Sequence, residues 1–193
     1  MARKQAADYE QRREAILDEA AQLFARQGFN GSSVADLAEA CRTSKSLIYH
    51  YYPSKEDILH AVMSSHIDQL VADVDNVLAQ PGDAAAHLDA LIHAFMSHYV
   101  GAADRQKVLL NELDNLPAAQ RGRIVASQRR VIDATQALLV ALDPSLKDDP
   151  SCARAKTMLL FGMINWTHTW YDPSGPITPA RIADMALTMV QAS

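Results

Sequence analysis

Two cysteines in 193 residues are too few for a disulfide framework. Cys41 and Cys152 stand alone, with no C-x-x-C and no zinc-ligand spacing around either, so both read as reduced structural residues, with a sensor disulfide as the alternative. No apolar segment follows the opening MARKQAADYEQRRE, and no run is long enough to cross a bilayer, so a cytoplasmic protein without a membrane partner is expected. A P-loop, a G-x-S-x-G elbow and a dinucleotide fingerprint are all missing, which leaves catalysis without a motif; neither enzyme activity nor a cofactor is expected. Of the seven histidines, His87, His93 and His98 fall at intervals of six and five, which do not stack on one helical face, so no metal site is expected. No segment carries a convincing strand period and no repeat is visible. An all-α fold remains.

Positive charge is also in short supply: Lys and Arg number 18 against 23 Asp and Glu, a net charge of -5. Residues 1–60 hold eight Lys/Arg and nine Asp/Glu, so the head is not basic overall. The cations nonetheless cluster at Arg3, Lys4, Arg12 and Arg13 and again at Arg42, Lys45 and Lys55, a local basic footprint on a repelling body. With 49% hydrophobic residues, the chain has material for a small head and a larger body. We expect a domain at residues 1–53 and another at 54–193.

What is present in the head is a succession of caps. Ser32 or Ser33 opens a helix with Val34, Leu37 and Ala38 on its apolar face, and Ser33 with Asp36 forms a capping box. Cys41, Arg42 and Thr43 break the period. Ser44 then caps a second short helix whose Leu47, Ile48 and Tyr51 face the first, Pro53 ends it, and Ser54 with Asp57 opens a third. Two short helices joined by a tight turn form a helix-turn-helix, and the exposed side of the second carries hydrogen-bonding groups that suit the major groove of DNA. The alternative is an ordinary solvated helix in an all-α enzyme or protein-interaction module without DNA binding.

VADLAEACRTSKSLIYHYYPSKEDIL resembles the signature of the TetR family of bacterial transcriptional regulators, over about residues 10–60. The resemblance implies a ligand-responsive regulator, a repressor that binds a palindromic double-stranded operator as a homodimer. It also implies that Ser33, Thr43, Ser44, Lys45, Ser46, Tyr49, His50 and Lys55 face DNA, with Tyr49 and Lys55 on phosphates and Thr43, Lys45 and Ser46 nearest the bases. The chain departs from the family pattern at Arg42, where a turn glycine is frequent, and at Ser46 and Leu47. Arg42 carries a backbone penalty or adds a phosphate contact of its own.

Beyond Pro53 the period is helical almost throughout. Apolar residues recur from Ile58 to Leu78, from Leu88 to Tyr99, and from Ile124 to Leu139. The segment from Ser151 to Tyr171 is apolar nearly all round, and a last helix starts with Pro179 at its first position. In the family the last two long helices pair with their copies in a dimer; a buried central helix in a monomer would explain the same hydrophobicity. Phe95, Met96, Tyr99, Leu113, Trp166, Thr169 and Trp170 are candidates for an effector pocket. FGMINWTHTWYDPSGPITPARIAD resembles the C-terminal segment of TetR regulators that answer to acyl-coenzyme A thioesters. That second resemblance implies an acyl chain in the apolar bundle, with Arg123, Arg129 and Arg130 on the coenzyme's phosphates. The alternative for these arginines is a solvated helix face.

Overall fold

A computed structural model of the chain describes residues 2–191, with side chains from Asp8 to Gln191. Every regular element among them is helical. The chain forms two compact units, one of residues 1–66 and 104–124, the other of residues 67–103 and 125–193.

The first unit begins with α1, Ala2–Gln27, which is stopped by Gly28 at φ 76°. Only glycine takes that left-handed geometry without a Cβ penalty, and its N–H closes on the Phe24 carbonyl at 2.9 Å. Ser33 caps α2, Val34–Ala40, through a complete capping box: its Oγ accepts from Asp36 N–H at 3.2 Å, and Asp36 accepts from Ser33 N–H at 2.8 Å. Ser44 caps α3, Lys45–Tyr51, by accepting from Leu47 N–H. Tyr52 is extended ahead of Pro53, and Ser54 opens α4, Lys55–Leu78, by accepting from Asp57 N–H. Ile16, Leu17, Ala20 and Phe24 of α1 are buried with Leu37, Ile48, Tyr52, Ile58 and Leu59. Burial of each large side chain in this set stabilises the unit by about 1.5–3 kcal/mol.

Also in this unit are α6, Ala103–Asn111, a 3-10 turn at Leu113–Asn115, and the first turns of α7, Ala118–Leu142. Gln106, Val108, Leu109, Leu116 and Ile124 are buried here. The buried His66 ring nitrogen meets Gln106 Oε1 at 2.7 Å.

The second unit contains the remainder of α4, then α5, Ala84–Gly101, the remainder of α7, α8, Pro150–Asn165, α9, Thr167–Trp170, and α10, Pro179–Gln191. α10 packs along α5 and α8. Pro179 stands at the first position of α10, as expected, with Thr178 Oγ1 accepting from Arg181 N–H.

One expectation for this unit is corrected. Residues 158–170 do not form one helix, because the ladder breaks at Trp166. There Thr167, His168 and Thr169 turn their side chains onto the carbonyls of Ile164, Asn165 and Trp166, and such side-chain bonds compete with the helical ladder. Ala153, Thr157, Leu160, Phe161 and Ile164 are buried, while Met158, Leu159 and Trp166 are exposed.

Candidate nucleic-acid interface

The turn between α2 and α3 is a complete Schellman motif. Thr43 N–H donates to the Ala38 carbonyl at 2.8 Å, and Arg42 N–H to Glu39 at 2.9 Å. Its left-handed residue is Arg42, at φ 51°, the one positive φ outside glycine among the described residues. An L side chain there is disfavoured relative to glycine, so the structure locates the penalty at the position where the sequence departs from the family pattern.

From that turn onward the side chains point outward. Ser33, Arg42, Ser44, Lys45, Ser46, Tyr49 and His50 are exposed, and Thr43 is half-buried. Ile48 of α3 is fully buried, so the helix is anchored on one face and free on the other. Tyr51 is held against Tyr9 of α1, with ring centroids 4.7 Å apart, and its ring edge meets His50. The arrangement places hydroxyl, ammonium, phenol and imidazole groups on a short, capped, rigid helix. Such a surface reads hydrogen-bonding edges in a groove the width of one helix.

Lys55 is half-buried and has a structural role as well. Its ammonium donates to the carbonyls of Phe29 and, at 2.6 Å, Ser32, and lies 4.0 Å from the centre of the Phe29 ring. Burial lowers its pKa, with Glu56, Asp36 and Glu112 opposing that shift. Two of its three donors hold the loop that leads into α2; one is left for an external acceptor.

The N-terminal basic cluster divides. The side chains of Arg3 and Lys4 lie outside the described residues. Arg13 sits over the buried Tyr52 ring, 5.9 Å from its centre, and contacts Glu10 at 3.5 Å. Tyr52 raises the pKa of Arg13, and burial raises that of Tyr52. Arg12 is exposed and forms no ion pair among the described residues. It lines a groove of about 600 Å³ with Glu19, Cys41, Arg42, Thr43 and Leu47. The spacing of Arg12, Ala15, Ile16 and Glu19 along α1 is the signal in the sequence that puts these residues on one helical face. Burial, and the negative charge of Glu19, push the Cys41 thiol up to about 11.

The candidate effector residues fall in both units. Phe95, Met96 and Tyr99 are buried in the second unit, where Phe95 neighbours Tyr99 at 6.2 Å and Phe161 at 6.1 Å between ring centres. Leu113 and Arg123 belong to the first unit. Trp166 and Trp170 are 63% and 53% exposed, and Thr169 is exposed beside them. Arg129 and Arg130 are exposed on α7, with Arg130 paired to Asp75. No helix among the described residues is long and apolar enough to cross a membrane, and no group of His, Cys, Asp and Glu among them is arranged to hold a metal.

Comparison with known proteins agrees with this geometry. Residues 16–62 match the bacterial regulatory proteins of the tetR family, and residues 81–193 match the tetracyclin repressor-like C-terminal domain. Among solved structures, a TetR-family transcriptional regulator from Bordetella parapertussis superposes with a TM-score of 0.89 at 36% identity, covering 92% of this chain and 93% of its own. AibR, in complex with isovaleryl coenzyme A and operator DNA, superposes with a TM-score of 0.80 at 26% identity, covering 92% and 97%. The transcriptional repressor KstR2 of Rhodococcus jostii is 25% identical over 183 residues, 93% of this chain and 89% of its own length. The chain belongs to the TetR family of bacterial transcriptional regulators, and is a DNA-binding regulator of transcription rather than an enzyme.

Proposed function

We propose that the chain is a repressor that binds a palindromic operator as a homodimer and leaves it when a small molecule binds the body. The observation that carries this reading is the exposed polar rim from Arg42 to His50 on a helix whose opposite face is anchored by Ile48. In it, residues 1–53 read DNA and residues 54–193 carry dimerisation and effector response. Lys45 and Ser46, at the N-terminal end of α3, read base edges, while Tyr49, His50, Ser33, Ser44, Arg42 and the remaining donor of Lys55 fix register on phosphates. Thr43 acts from the turn.

A recognition helix of seven residues needs a second half-site, and a two-fold dimer supplies it about 34–36 Å away, one turn of duplex. The surface that supports dimerisation is apolar and exposed. Met158 and Leu159 on α8, Trp166 at its C-terminal cap, and Met185 and Met189 on α10 are its exposed apolar side chains. We assign Trp166 and Trp170 to this surface rather than to effector walls, because both are more than half exposed. Phe161 and Ile164 of the same helix are buried within their own unit and do not join this surface.

For the effector, an acyl-coenzyme A thioester is the class proposed. Its support is the C-terminal resemblance and the coenzyme bound to AibR. The acyl chain would enter among Phe95, Met96 and Tyr99, with Arg129 or Arg130 meeting phosphate. To switch the protein, the effector must favour the released arrangement, by about 1–3 kcal/mol for typical couplings. The test is a mobility shift on DNA upstream of the chain's own gene, titrated with short, long, aromatic and ring-bearing acyl thioesters beside their free acids. Release by a thioester alone supports the reading; release by free acids alone, or by none, removes the coenzyme.

A further inference from the structure

The groove of about 600 Å³ between α1 and the α2–α3 turn brings Arg12, which lies outside the quoted signature, beside Arg42, which lies within it. Its floor is apolar, from Ile16 and Leu47, and its rim carries two arginines from different elements, Arg12 and Arg42. Arg13, Arg105, Arg121, Arg130, Arg154 and Arg181 all meet carboxylates. Arg12 and Arg42, like Arg26, Arg123 and Arg129, meet none within ion-pair distance among the described residues; what distinguishes the two is that they line one groove, which Glu19 also lines. Two guanidinium groups without a carboxylate partner, lining one groove on a chain of net charge -5, have the chemistry to bind an anion.

We propose that this groove receives a backbone phosphate of the operator, making Arg12 of α1 a DNA-contacting residue alongside Arg42. This inference rests on the reading that α3 enters the major groove. Phosphate rows wall that groove on both sides of an inserted helix, and Thr43 and Leu47, at the N-terminal end of α3, form the groove's boundary. A phosphate arriving there meets the turn and α1 together. Glu19 stands two helical turns from Arg12, roughly 10 Å along α1, and opposes the anion. The groove is therefore polarised, with Arg12 drawing a phosphate toward one end and Glu19 repelling it from the other.

Charge sign gives the test its specificity. Arg12→Ala should weaken binding to the upstream DNA about three- to tenfold at 0.1 M salt and make the slope of log K against log salt shallower by about 0.9. Arg12→Lys should recover most of the loss. Glu19→Gln should tighten binding, and none of the three should change the ratio of operator to random-duplex affinity by more than about twofold, because a phosphate carries no sequence. Both positions are accessible, so thermal melts should be unchanged and a folding defect is separable from a binding one. If the wild-type chain retards the DNA and Arg12→Ala and Glu19→Gln bind it with wild-type affinity and salt slope, the groove is not a phosphate site although α3 still reads DNA. If the wild-type chain does not bind, the regulatory reading falls and this inference with it.

Discussion

Arg105 Nη2 lies 2.8 Å from Asp18 Oδ1, tying α6 to α1. The same guanidinium reaches Glu14 at 3.0 Å and Ser65 Oγ of α4 at 2.6 Å, so one side chain joins three helices of the first unit. Burial works against its charge, and the hydrogen bonds it donates to Glu14 and Asp18 outweigh that and raise its pKa. Residues 104–124 thereby belong with the DNA-reading helices, although the chain enters and leaves them from the second unit. An effector that displaced this segment would act on α1 directly.

Arg105→Ala should destabilise the protein by about 1 kcal/mol, not more, because both carboxylates are over half exposed and solvent screens the pairs. Urea denaturation of Arg105→Ala, Asp18→Asn and the double variant measures the coupling, expected at about 0.5–1 kcal/mol and smaller in 1 M salt. Additive effects would show that the contact contributes nothing to stability.

Arg42→Gly should stabilise the fold by about 0.5–1 kcal/mol, since glycine takes the left-handed turn without penalty. The same change should weaken DNA binding, having removed a cation from the interface. A variant that gained stability and kept full affinity would show that the arginine is not held there for DNA.

Charge in the exposed apolar stripe should separate assembly from folding. Leu159→Glu and Met185→Glu should sediment as monomers with normal helicity and lose operator binding. Ile164→Glu should instead unfold the chain, because it places a carboxylate at a position with no solvent exposure. If both stripe variants remain dimeric at micromolar concentration, the interface lies elsewhere.

The cysteines should differ sharply in reactivity. Cys152 is exposed at the start of α8, whereas the Cys41 thiol is pushed up to about 11. At pH 8 alkylation of Cys41 should be slower than that of an ordinary thiol by about a hundredfold, in line with its smaller thiolate fraction. The stability consequence has a definite sign. A folded-state pKa above the unfolded one contributes fully below the unfolded value, near 9, and is lost as pH rises from there through 11. Mass spectrometry of partially alkylated protein checks the first point; equal rates at the two thiols would contradict it.

The head was the more legible part of the chain because its elements are defined by local signals. Ser33, Ser44 and Ser54 cap their helices as read, and Gly28 and Pro53 end theirs, each through contacts within a few residues. The conformation of Arg42 was foreseeable from the missing turn glycine. The body was harder. Hydrophobicity in residues 158–170 does not say which side chains face inward: Ile164 and Trp166, two residues apart, are alike apolar in sequence, and only packing buries the first and exposes the second. Nor does sequence distance reveal that Arg105 joins Glu14, since that contact depends on three helices arriving together. Arg12 was visible as charge, but its partnership with Arg42 arises only in the folded groove.

Hydroxyl-radical footprinting of the DNA upstream of the chain's own gene is the sharpest test of dimeric operator binding. Dimeric binding predicts two protected patches related by a dyad, their centres about 10–10.5 base pairs apart. It also predicts that Leu159→Glu abolishes both together and that Lys45→Ala alters which sequences are protected. Protection of a single patch, uniform protection along the duplex, or an unaltered footprint from a monomeric variant would contradict it.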